Sequence, residues 1–173
     1  MTNAKEFSSK NWLVTLLLIV AAMVVPSAAW AQTTITPAQP THGDGTAENP
    51  YQISSAAELY WFTELVNGSL TDGTPQNTAA CAKLTADITV NSNLLSSLDI
   101  WEGEVWNSWT FTSWTPIGKY ENEYIGTFDG DGKTVSGLFL NDSNADFVGL
   151  FGLIGSGGTV KNVGVVDSYF KAN

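Results

Sequence analysis

The chain has 173 residues, and its seven lysines, without a single arginine, oppose 17 acidic residues for a formal net charge of −10. That balance argues against nucleic acid and against an anionic membrane surface, since both depend on clustered Lys and Arg. Hydrophobic residues at 43% and aromatics at 12% exclude disorder, and one cysteine with one histidine excludes an internal disulfide and a His/Cys zinc cage.

Residues 1–31 read as a secretory signal peptide. Lys5 and Lys10 supply a basic start, and Trp12 to Val25 is a 14-residue apolar run broken only by Thr15. Pro26 ends the run, and Ala29-Trp30-Ala31 gives the small-x-small pattern of a cleavage site. As a membrane anchor the run is short, because a spanning helix needs about 20 residues. Cleavage before Gln32 leaves five positives against 16 negatives. The expected location is secreted or cell-surface, with no membrane insertion once the leader is gone.

Residues 32–46 have a linker composition of Thr, Pro and Gly, with His42 expected to be solvated. A domain is expected over 47–173. Ser55-Ala-Ala-Glu58 is a capping box: the Ser55 hydroxyl takes the Glu58 amide and the Glu58 carboxylate returns to the Ser55 amide. Leu59, Phe62, Leu65 and Val66 then share one helical stripe with Tyr60 and Trp61 at its margins, and Gly68 stops the helix. Lys83 to Val90 alternates with period two, which predicts one half-buried strand, with Cys81 at its edge as a small hydrophobe.

Asn91 to Trp114 reads as a loop rich in tryptophan. If extended, Trp109 and Phe111 share a face. Two readings of Trp101, Trp106, Trp109 and Phe111 stand. They form a satellite core under a long loop, or they are exposed rings that stack on sugars beside carboxylates.

From Trp114 the chain repeats itself at a shift of 25 residues. Gly130-Asp-Gly-Lys-Thr-Val135 falls over Gly155-Ser-Gly-Gly-Thr-Val160, Leu138 and Leu140 over Val163 and Val165, and Phe128 over Leu153. A period of this length, with short strands and glycine turns, predicts a stacked solenoid.

Gly43-Asp-Gly-Thr-Ala-Glu-Asn-Pro-Tyr-Gln-Ile-Ser54, the helix Ala57–Asn67 and Leu84-Thr-Ala-Asp-Ile88 open an ordered series of motifs. It continues through Trp114-Thr-Pro-Ile-Gly118, Gly126-Thr-Phe128-Asp129-Gly130-Asp-Gly132-Lys-Thr-Val-Ser-Gly-Leu138 and Gly149-Leu150-Phe-Gly152. The series resembles the bacterial surface and secreted proteins built from GLUG (Gly-Leu-x-Gly) repeats, over roughly 43–173. The resemblance implies a mostly-β fold, a right-handed parallel β-helix capped at its start by the helix, in an adhesin-like protein. It brings no catalytic residues. The series stops without a polar terminal cap, so the solenoid is expected to be truncated, with further repeats or an anchoring module downstream.

Asp129 and Asp131 admit a calcium reading, but Lys133 occupies a ligand position and no distal Glu follows, so a tight turn is expected and no cofactor. As a paired-carboxylate glycosidase site they would stand on a poor platform. Gly155–Gly158 precedes a strand, not a helix, so it is no phosphate cradle. Asn67-Gly-Ser69 and Asn141-Asp-Ser143 match glycosylation triplets by coincidence. The sequence therefore points to a non-enzymatic adhesion or scaffold module whose partner is a glycan or surface protein. A carbohydrate-binding module using Trp101–Phe111 is the alternative, and the front part of a polysaccharide-active enzyme or secreted peptidase a second.

Overall fold

The computed structural model describes residues 34–172, which belong to a compact unit spanning Gln32–Asn173. The expected leader, 1–31, lies outside the described residues.

Residues 38–45, expected as linker, pack onto β1 (Tyr51–Ile53). The Gln52 amide donates to the His42 carbonyl at 3.0 Å, and the Cys81 amide to the Gly45 carbonyl at 2.8 Å. Pro40 is buried, while the His42 side chain is exposed. The folded unit thus takes in residues before 47, because the turn around Gly43–Gly45 returns the chain alongside β1.

Helix α1 (Ala56–Asn67) begins as its sequence dictates: the Glu58 amide donates to Ser55 Oγ at 3.3 Å, and Gly68 ends it in the left-handed region at φ 72°. The reciprocal bond differs by one residue, since the Glu58 carboxylate accepts from the amide and hydroxyl of Ser54 at 2.7 and 2.8 Å. Leu59, Phe62, Leu65 and Val66 are buried, and so is Trp61. Phe62 packs on Tyr124 and Phe128, and Tyr60 meets Trp114 edge-on. The helix therefore closes over the same apolar interior that the strands build.

Regular secondary structure in the described chain is mostly strand, and most of the strand pairing is parallel. Lys83–Val90 is not one strand. It divides into β2 (Ala82–Leu84) and β3 (Ile88–Thr89), which join different sheets. Two short strands each bury one or two apolar residues, so a period-two pattern runs through the bend without announcing it. After an insertion at 92–112 that contributes α2 (Leu94–Ser97), β4 (Ile100–Trp101) and β5 (Glu104–Val105), the pattern recurs. It gives β6 (Thr127–Asp129), β7 (Thr134–Ser136) and β8 (Phe139–Asn141), then β9 (Thr159–Lys161), β10 (Gly164–Val166) and β11 (Tyr169–Lys171). The first sheet runs β1-β2-β6-β9, the second β10-β7-β3, the third β11-β8, with Ser113 bridged parallel to Phe139. Three successive passes of chain thus visit the same three ladders in the same order.

The register corrects the repeat read from sequence. Phe128 pairs with Val160, not Leu153; Val135 pairs with Val165, not Val160. Phe139 pairs with Tyr169, and Leu140 with Phe170. The true offset is 30 to 32 residues along these ladders. A 25-residue shift superimposes two glycine turns that occupy different corners. Gly130–Lys133 links β6 to β7 and lies against Lys161 and Asn162, whereas Gly155–Gly158 precedes β9 and lies against Tyr124.

Ile53, Leu84, Ile88, Ile117, Phe128, Val135 and Leu138 are sealed in the interior with Trp114 and Tyr124. Within Gly149–Gly152, Leu150 is buried, and the Ile117 amide donates to its carbonyl at 3.0 Å. A side chain at Gly152 would stand 2.5 Å from the Gly118 carbonyl, so glycine there is a condition of stacking one pass on the next. Gly118, Gly126, Gly130 and Gly132 sit in the connections between these ladders.

Candidate functional site

The insertion folds from its own local signals. Glu102 and Gly103 take φ of 52° and 82°, the positive pair of a type I′ turn, and a two-residue turn of that type suits an antiparallel hairpin. Ile100 pairs with Val105 and Trp101 with Glu104. The same register, one residue further, opposes Asp99 and Trp106, whose amide donates to the Asp99 carbonyl at 2.8 Å.

Side chains alternate across such a ribbon. Ile100 and Val105 share one side, where Val105 is buried with Leu94, Phe111 and Phe139 while Ile100 stays half exposed. Asp99, Trp101, Glu104 and Trp106 share the other. Directly opposed and diagonal neighbours on one face lie within about 8 Å, so two indoles stand on a diagonal flanked by two carboxylates. Trp101 is 64% exposed, Trp106 58% and Trp109 66%. Tryptophan is highly buried on average, so three this exposed on one short segment single it out as a candidate contact surface.

Both earlier readings of the segment are thereby divided. Phe111 is core, tilted on Phe139 at a centroid distance of 5.1 Å. Trp109 lies in a 3-10 turn, Ser108–Thr110, so it does not share a strand face with Phe111.

The platform is held at several points. Asn91 donates to the carbonyls of Thr112 and Gly137 at 2.9 and 2.8 Å and accepts from the Thr112 amide at 2.8 Å, drawing the insertion's two ends together. Asp167, between β10 and β11, accepts the Leu94 and Leu95 amides at 2.8 and 2.9 Å. Lys171 of β11 pairs with Glu104 and donates to the Gly103 carbonyl. Asn107 bonds the Ser97 carbonyl and the Asp99 amide. A hairpin backbone held this way needs little further ordering to bind.

Asp129 and Asp131 form the turn their sequence suggests. The Asp129 carboxylate accepts the Asp131 amide and the Asn162 side chain and pairs with Lys161; Asp131 pairs with Lys83. Those hydrogen bonds, the Asp131 amide first, hold the Asp129 carboxyl below its ordinary range. Among the described residues no group of three or more His, Cys, Asp or Glu is placed to hold a metal ion. Asn67, in one glycosylation triplet, is buried and bonded through both side-chain atoms to Pro116 and Gly118, so folding withholds it from modification.

A second surface feature escaped the sequence. Two shallow hollows of ≈ 260 and ≈ 420 Å³ adjoin, sharing Thr115, Pro116 and Phe147. Tyr120 borders the smaller and is 73% exposed. The Lys119–Asn122 turn carries Tyr120 to the rim of that hollow, next to the bridged pair Ile117 and Phe151.

Fold and site together define a mostly-β protein of parallel ladders carrying a clamped aromatic hairpin. No protein-family model matches the chain, and no solved structure does. It is similar to a protein named as a Gly-rich membrane protein in Evansella cellulosilytica, 30% identical over 127 residues, and to halomucin of Haloquadratum walsbyi, 35% identical over 124. These matches take in 73% and 70% of the chain but span only 12% and 1% of the relatives' lengths. No helix among the described residues is long and apolar enough to cross a membrane.

Proposed function

We propose that this chain is a non-enzymatic adhesion and scaffold module of the cell surface or of a secreted protein, whose insertion makes contact with carbohydrate. The observation that carries this reading is the hairpin face bearing Trp101 and Trp106 beside Asp99 and Glu104, held outward by Asn91, Asp167 and Lys171. Indole faces stack on the C–H faces of sugar rings, and carboxylates accept their hydroxyls.

The scaffold in this reading is a right-handed parallel β-helix of GLUG type, begun by α1 and delivered by the leader at 1–31. The recurring order of ladders supports it, as does the close approach at Gly152. The names of the relatives support a place at the cell surface. Asp129 and Asp131, each engaged with a lysine, act as turn and ladder residues in this account, not as an acid and base pair.

The test is a glycan-array screen of purified residues 32–173 beside a Trp101→Ala, Trp106→Ala double variant. Binding is expected, with a loss of about ten-fold or more in the variant, the size of two stacking contacts. A folded protein that binds no glycan would remove the carbohydrate contact and leave the scaffold.

A further inference from the structure

We propose that the hairpin selects polysaccharides without anionic groups, and rejects uronate and sulfate polymers. This rests on the carbohydrate reading above and names the ligand class within it.

The argument is electrostatic and geometric. Residues 92–112 contain Asp99, Glu102 and Glu104 and no Lys, Arg or His. All three acids are exposed. Asp99 and Glu104 lie on the tryptophan face by the hairpin register, and Glu102 occupies the turn at its tip. The cation nearest that face in the hydrogen-bond network is Lys171. It is already spent on Glu104 and the Gly103 carbonyl. Lys83 and Lys161 are likewise paired, with Asp131 and Asp129.

A ring lying across Trp101 and Trp106 therefore places its substituents beside carboxylates. Hydroxyls can donate to those oxygens, whereas a uronate or sulfate meets the excess negative charge that Asp99, Glu102 and Glu104 leave over the single Lys171, which is already engaged. The stacking itself carries no charge, so binding of an uncharged polymer is expected to depend little on salt. Screening instead weakens the rejection of anionic polymers.

Affinity electrophoresis of the purified chain tests this, with hydroxyethylcellulose and glucomannan as uncharged polymers and polygalacturonate and dextran sulfate as anionic ones. Vesicles of phosphatidylcholine and phosphatidylglycerol form a further arm. Retardation is expected with an uncharged polymer and to change less than about two-fold between about 50 and about 500 mM NaCl. Trp101→Ala with Trp106→Ala abolishes it, and Tyr120→Ala with Phe147→Ala, at the hollows, leaves it intact. Asp99→Lys with Glu102→Lys is expected to gain polygalacturonate binding by about five-fold or more at low salt. Tighter binding of wild type to polygalacturonate or dextran sulfate than to both uncharged polymers overturns the charge rule while the tryptophan reading stands. Loss through the Tyr120 and Phe147 changes alone moves the ligand to the hollows and overturns the assignment to the hairpin. Binding of vesicles with no retardation by any polymer overturns both in favour of a lipid surface.

Discussion

Two asparagines do work that no local pattern announces. Asn67, the last residue of α1, donates to the Pro116 carbonyl and accepts from the Gly118 amide, both at 2.9 Å. It thereby ties the helix end to a segment 49 to 51 residues away. Asn91 ties the neck of the insertion to Gly137 in the same manner. Replacing Asn67 by alanine strands a part-buried carbonyl and a buried amide. The expected cost is about 2–4 kcal/mol, from two backbone groups left without partners, read as a lower urea midpoint at unchanged slope. A loss below about 0.5 kcal/mol would mean that water replaces the side chain. Ser55, Glu58 and Gly68 were legible because each acts on neighbours in sequence. Asn67 and Asn91 were not, because their partners arrive only with the fold.

At the scale of elements, the alternation of short apolar strands and glycine turns was readable, but their register was not. The turn between β6 and β7 spans Gly130–Lys133, and the equivalent one between β9 and β10 spans only Asn162 and Val163. Corners of unequal length break a constant shift, and similar glycine-rich strings then align at the wrong corner. The insertion misled for a related reason. One segment supplies both core, through Leu94, Val105 and Phe111, and surface, through its three tryptophans, because the hairpin has two faces. A cross-link decides the register. Neighbouring parallel strands run about 4.8 Å apart, within the range a disulfide bridges. In a Cys81→Ala background, Ser136→Cys with Val166→Cys, which are Cα partners, is expected to oxidise readily to an intramolecular disulfide. Ser136→Cys with Lys161→Cys, the pair demanded by a 25-residue repeat, is expected to stay reduced. Mass spectrometry after mild oxidation reads both, and the reverse result would restore the shorter repeat.

For the whole molecule, charge acts in two opposed ways as acid is added. The net charge of −10 repels itself, and lowering the pH toward the carboxylate range relieves that repulsion. Against this stand carboxylates that join one pass to the next. Asp87 accepts the amide and hydroxyl of Thr134 at 2.8 and 3.0 Å, and these bonds, the amide first, hold it below its ordinary range. Asp129 is held low across to Asn162 and Lys161 as well as by its own turn. Asp44 and Asp72 are lowered by Thr46 and Thr74 within single turns. A carboxyl whose folded value is depressed stabilises the fold fully above its unfolded value, and the contribution disappears as pH falls through the folded one. Stability is therefore expected to hold or rise from pH 7 to about 4.5, where repulsion eases, and to fall below about pH 4 as these acceptors take protons. Added salt at pH 7 is expected to raise the midpoint and at pH 3 to do less, since the net negative charge is then largely gone. Asp87→Asn with Asp129→Asn keeps a carbonyl acceptor at each place and removes the titration. Its urea midpoint should start lower at neutral pH and decline less steeply in acid than that of wild type. An acid decline of unchanged steepness in the double variant would assign it to carboxylates other than those that bridge successive passes.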